Sequence, residues 1–223
     1  MNKFITYGIL LLIYLGLSKS LSPNEFGIKY IQNEQALAEL ISGSTISVVL
    51  TDIHSTGFII KTFYHKYKII YGFQSYEELI IRTSRGFTNQ LKPYLGMSVF
   101  RRYREDNKES FTPLPPGSIF IGDKSFGNWQ SKGPNKKVWR FFRVYRQIPT
   151  FLGWKSYIPS LKEYNEITKH EKSKKPYHGS NHEFGIKGVI TQTSFPKYFE
   201  RKKPDHINFK SFFKNLFKEN FIK

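Results

Sequence analysis

The sequence predicts a single α+β domain, a mostly antiparallel sheet of four to six strands packed by three to five helices, behind an N-terminal signal peptide. Three observations predict it. β-Branched and aromatic runs of strand length dominate positions 45–73. Helix-capping signals followed by apolar residues at helical spacing recur on both sides of them. The 223 residues, 39% hydrophobic and 17% aromatic, are enough for one core in which Phe and Tyr supply much of the volume.

The elements follow in order. Lys3 opens the chain with positive charge, positions 4–17 are apolar, and Ser18 and Ser20 form a small-x-small cleavage pattern, so residues 1–20 read as a signal peptide. The apolar run is shorter than the roughly 20 residues a spanning helix needs. The α+β domain is expected over 21–206. Ser22, Pro23 and Glu25 have the form of a capping box with proline at the first helical position, and Asn33 opens a second helical stretch that ends near Gly43. Positions 45–52, 57–64 and 67–73 then read as a three-stranded antiparallel meander.

Ser75 and Glu78 form another capping box, and Tyr76, Leu79, Ile80, Thr83, Phe87 and Leu91 share one helical face before Pro93, which predicts a helix over 76–91. A charged connection leads through Pro113, Pro115, Pro116 and Gly117 to a short strand at 118–123, and the Gly, Asn and Pro content of 126–135 predicts a loop. Successive 100° steps over 138–148 gather Val138, Phe141, Phe142, Val144, Tyr145 and Ile148 on one side and Trp139, Arg140, Arg143, Arg146 and Gln147 on the other. That separation predicts a helix with a solvated arginine stripe. Ser160 caps a helix over 161–170, and 186–193 reads as a strand. Positions 207–223 set Phe209, Phe212, Phe213, Leu216 and Phe217 opposite Lys210, Lys214 and Lys218, a basic amphipathic C-terminal helix.

Lys and Arg number 35 against 17 acidic residues, a formal net charge of +18 that exceeds what solubility asks for and implies a polyanionic partner. A codon bias toward Lys would raise Glu equally, so composition alone does not account for the excess. Export moves the expected partner away from nucleic acid to an anionic envelope polymer, such as peptidoglycan or another acidic glycan, or to a membrane surface with its lipid head groups. The absence of cysteine excludes disulfides, thiolate zinc sites and a Cys nucleophile. No nucleophile elbow, phosphate-binding loop or dinucleotide fingerprint occurs, and no cofactor is expected.

Two regions are candidates for function. Between Asp123 and Glu163 there is no acidic residue, while Lys124, Lys132, Lys136, Lys137, Arg140, Arg143, Arg146, Lys155 and Lys162 are all basic, and Trp129, Trp139 and Trp154 lie in the same window. Lys136, Lys137, Arg140, Arg143 and Arg146 are expected to hold an anion. Trp139, with Trp129 and Trp154, is expected to offer a flat face to sugars or lipids. The second region, His178, His182 and Glu183, places two imidazoles and a carboxylate on one loop, as a hydrolase acid/base pair or part of a metal site would need. Gly179, Ser180 and Asn181 exclude the helical zinc-protease arrangement, and a third ligand would come from a distant residue such as Asp123, His54 or His206.

Overall fold

The computed structural model describes residues 3–20, 27–57, 61–72, 75–104, 107–134, 136–154 and 156–201. They form one α+β domain whose elements run α1 (Lys3–Ser20), β1 (Tyr30–Ile31), α2 (Glu34–Leu40), β2 (Ile46–Thr56), β3 (Thr62–Tyr71), β4 (Tyr76–Thr83), α3 (Arg85–Leu91), β5 (Ser98–Arg102), β6 (Glu109–Ser110), β7 (Gly127–Ser131), β8 (Lys137–Phe141), α4 (Ile148–Phe151), α5 (Leu161–Lys172), α6 (Val189–Ser194) and α7 (Pro196–Glu200). Six strands make one sheet in the order β1-β4-β3-β2-β5-β6, antiparallel except for the β1–β4 pair, and β7 and β8 form a separate hairpin. The described residues hold seven helices rather than three to five, five of them only four to seven residues long. The expected helices around Ser22 and over 207–223 lie outside the described residues.

The sheet is buried on both faces, and period-two alternation explains how. Ile46, Val48 and Leu50 of β2 join a core with Leu37 of α2 and Phe87 and Leu91 of α3. Val49, between them, points the other way into a second core with Ile70, Phe120, Trp139, Trp154 and Phe184. The polar Ser47 on that second face is satisfied by Ser98 Oγ at 3.1 Å and by the Gly117 amide, which donates to it at 3.2 Å. Arg101, with no exposed surface, fastens β5 to α5: it donates to Glu171 at 3.2 Å, to Ser110 Oγ at 2.8 Å and to the Thr112 carbonyl at 2.8 Å.

Several expected elements are corrected. The second and third strands of the meander are one continuous β3, and its third partner, β4, occupies the first half of the expected 76–91 helix. Only the second half is helical, capped by Ser84, whose Oγ accepts from the Phe87 amide at 3.0 Å. The expected strand at 118–123 is a 3-10 turn over Ser118–Phe120, entered through Gly117 in the left-handed region at φ 74. Leu152 packs so tightly there that a Cβ at Gly117 would meet its Cδ1 at 2.3 Å. The expected strand at 186–193 contains α6 instead, in which Thr193 Oγ1 bonds back to the Val189 carbonyl at 3.0 Å. As expected, Asn33 caps α2, with its Oδ1 accepting from Ala36 at 2.9 Å, and Ser160 opens α5 with a complete capping box.

Candidate anion-binding hairpin

The arginine-rich window is not a helix. Positions 127–131, expected as a loop, form β7 and pair with β8 over 137–141, after which a 3-10 turn spans Arg143–Tyr145. The helical reading rested on the separation of apolar from charged residues over 138–148, which placed Val138 on the apolar side and Trp139 on the charged side. Both are buried in the strand, Val138 at 4% and Trp139 at 2% exposure. Trp139 enters the second core and Val138 points to the opposite face, while the outer edge of β8 is paired by a bridge from Val138 to Ser160 and by the Trp139 amide, which donates to Pro159 O at 2.8 Å. The base of the hairpin requires Gly127, where a Cβ would come 2.2 Å from the Arg140 carbonyl oxygen.

This geometry separates the window's cations from its tryptophans. Lys136, Lys137, Arg140, Arg143 and Arg146 are all exposed. Lys132 and Lys136 meet at the hairpin tip, where the Lys132 amide donates to the Lys136 carbonyl at 2.7 Å, and Arg140 faces out opposite Asn128. None of these side chains has a carboxylate within ion-pair distance among the described residues. The acids that bound the window are engaged locally: Asp123 Oδ1 accepts from the Ser125 amide at 2.8 Å, and Glu163 Oε2 accepts from the Ser160 amide at 3.0 Å. The basic charge therefore runs from the tip of the hairpin to the turn beyond its base.

The tryptophans serve the interior instead. Trp139 and Trp154 are each 2% exposed, so neither ring can present the flat face expected of it; Trp129 is half-buried. Trp129 and Trp139 are cross-strand partners in a T-shaped contact at 5.1 Å. From there a ladder of rings passes through Phe141, Trp154 and Tyr157 to Phe184 at centroid spacings of 6.2, 5.7, 5.3 and 5.0 Å. Trp154 is further fixed by its Nε1, which donates to the Pro116 carbonyl at 2.9 Å. The rings give the hairpin a rigid footing, since two-stranded hairpins hold poorly without a face to pack on.

The loop of His178, His182 and Glu183 lies at the far end of that ladder, so it is not part of the basic surface. His178 and His182 approach with ring centroids 6.0 Å apart, but the His178 Nδ1 bonds the Phe184 carbonyl at 3.2 Å and its ring stacks on Tyr94. Glu183 folds back on its own loop, accepting from the Asn181 amide at 2.9 Å and from Asn181 Nδ2 at 3.1 Å. The carboxylate thus closes a turn in which His182 takes φ 55. Of the proposed distant ligands, His54 pairs with Asp52 at 3.5 Å on β2, and His206 is outside the described residues. Among the described residues no group of three His, Asp or Glu side chains could hold a metal ion.

A buried polar chain escaped the sequence reading. His65, with no exposed surface, bonds the Tyr67 hydroxyl at 2.8 Å through Nδ1 and Thr88 Oγ1 at 3.1 Å through Nε2, and Thr88 in turn meets Thr83 Oγ1 at 2.8 Å. Burial, with a smaller contribution from His54, lowers the His65 pKa to about 4, so the ring is neutral near pH 7. A lone His within a β-branched run carries no sequence mark of such a network.

Fold and surface together define an α+β domain displaying an unneutralised basic hairpin on an aromatic footing. Comparison with protein-family models, with curated proteins and with solved structures gives no match to this chain.

Proposed function

We propose that this is an exported, non-enzymatic protein that binds an anionic component of the cell envelope, peptidoglycan or another acidic glycan or lipid head groups, through the β7–β8 hairpin and the turn after it. One observation carries the reading: Lys136, Lys137, Arg140, Arg143 and Arg146 are exposed together along one short stretch with no carboxylate partner among the described residues. Guanidinium groups so placed are free to form bidentate bonds with phosphate or carboxylate, and a row of them on a strand and turn suits an extended ligand. Trp139 and Trp154 belong to the footing, and Trp129 stands at its margin. Export is supported by α1, whose side chains from Phe4 to Leu15 are almost all exposed although nearly all apolar, as an unpartnered leader would present them. No helix among the described residues is long and apolar enough to cross a membrane.

The test is the triple variant R140Q/R143Q/R146Q, assayed for binding to purified peptidoglycan and to anionic lipid vesicles over a range of salt. At least a tenfold loss at low salt is expected, with the slope of log affinity against log salt flattened by about three if each arginine displaces one counterion. Unchanged affinity and slope would refute the reading. A hydrolase built on His178, His182 and Glu183 finds no comparable support, because Glu183 is engaged by Asn181.

A further inference from the structure

A second concentration of positive charge lies on another part of the molecule, assembled from residues far apart in the chain. A groove of about 940 Å³ opens where the far ends of β2 and β3 meet the junction of β4 and α3, and Lys61, Arg82 and Arg85 line it. Its volume is in the range of ligand clefts. Ser55, Thr62 and Asn89 add hydroxyl and amide donors, and no acidic residue among the described residues contributes to its walls. None of the three cations has an ion-pair partner among the described residues.

The groove is built rather than incidental. Arg82 is held in register opposite Tyr30 by the parallel β1–β4 pair, its guanidinium 5.3 Å from the centre of the tyrosine ring, which fixes the side chain without neutralising it. The floor is Thr83, 3% exposed and tied through Thr88 to the buried His65 and Tyr67. A wall of cations over a floor locked by hydrogen bonds needs little rearrangement to accept an anion.

We propose that this groove binds a phosphate ester: a phosphomonoester or pyrophosphate group held by Lys61, Arg82 and Arg85, its sugar or polyol body lying against Ser55, Thr62 and Asn89. Three cations around one opening match the double charge of a terminal phosphate better than the single charge of a carboxylate. The site is independent of the hairpin. Gly72, at the end of β3, is where the Phe126 ring packs, and Phe126 O accepts from the Phe142 amide at the hairpin base. Thr62 is at the opposite end of β3, so the two charged regions are separated by roughly 30 Å at ordinary strand rise.

The probe is inorganic pyrophosphate, titrated at low salt into the wild-type chain, into R82Q/R85Q and into the hairpin variant R140Q/R143Q/R146Q. Because the hairpin arginines can hold pyrophosphate too, the groove is read in R140Q/R143Q/R146Q: that variant should keep one pyrophosphate site, and adding R82Q/R85Q to it should weaken binding at least tenfold, so this proposal and the hairpin reading fail separately. K61Q, which alters only an exposed side chain, should weaken binding about threefold and guards against misfolding of the double variant. Vesicles containing phosphatidic acid form the second arm. Vesicle binding that falls with R82Q/R85Q assigns the phosphate to a lipid headgroup, and pyrophosphate binding without groove-dependent vesicle binding assigns it to a soluble ester. No binding of pyrophosphate by the hairpin variant, or binding there that R82Q/R85Q and K61Q leave intact, overturns the proposal.

Discussion

His65 ties stability to pH in a direction that can be worked out. Its folded pKa, about 4, is below the ordinary imidazole value of 6.5, so the unfolded chain binds a proton more readily. Stability from this residue is therefore complete above about pH 6.5, declines as the pH falls from there toward 4, and is lost below it. The decline is at most about 1.4 kcal/mol per pH unit for one such group. Thermal melts at pH 7, 6 and 5 should show the midpoint falling, with H65Q flatter over the same range; equal slopes for the two chains would count against a neutral buried ring. A second single-residue test concerns Ser160, whose Oγ accepts from the Glu163 amide at 3.2 Å. S160A should cost about 1 kcal/mol in urea denaturation, the usual value of a side-chain cap.

Among the elements, success of the sequence reading depended on whether a pattern was unique to one periodicity. Asn33 and Ser160 announced α2 and α5 through capping signals, but the same signal at Ser75 and Glu78 precedes the strand β4, so a capping pattern alone did not decide. The stretch from Tyr76 to Leu91 was ambiguous: Leu79, Thr83, Phe87 and Leu91 recur every four residues, which fits one face of a helix and equally one face of a strand. The sheet decided it, because β3 offers a long edge on which Lys66 can pair with Glu78 at 2.7 Å, and the helix starts only at the Ser84 cap. Around Arg140 the error lay in assuming a strand with one wet face. Pairing of the outer edge of β8 by Pro159 and Ser160 could not be read locally, nor could the burial of Val138 and Trp139 side by side. Exposed cations in the window were legible from charge alone; which tryptophans they kept company with was not. The groove of Lys61, Arg82 and Arg85 was beyond a window reading altogether, since strand pairing brings it together across positions that are distant in sequence.

For the whole molecule, the distance between the two basic regions has a measurable consequence. Sites this far apart with no shared partner should each bind a short anionic oligomer as a separate event, so R82Q/R85Q should remove one site and R140Q/R143Q/R146Q the other, each leaving the affinity of the remaining site unchanged. A polymer long enough to reach both should lose more, because one anchored end raises the effective concentration of the other. Titration with oligomers of increasing length would show a step in affinity near the spanning length, present only in the wild-type chain. A flat length dependence would mean that the two regions never engage one ligand together.

The margins of the sheet bear on how such a protein stays dispersed while carrying so many strands. Its outermost members, β1 and β6, are two residues each, and beyond β6 the flank of β5 is closed by the Ser98–Leu114 bridge. Along the part of β4 that no strand pairs among the described residues stand Glu77, which accepts from the Tyr71 hydroxyl at 3.1 Å, and Glu78, paired with Lys66 at 2.7 Å. Charged side chains along that stretch disfavour the addition of a strand from a second copy, the pairing through which a bare edge seeds fibrils.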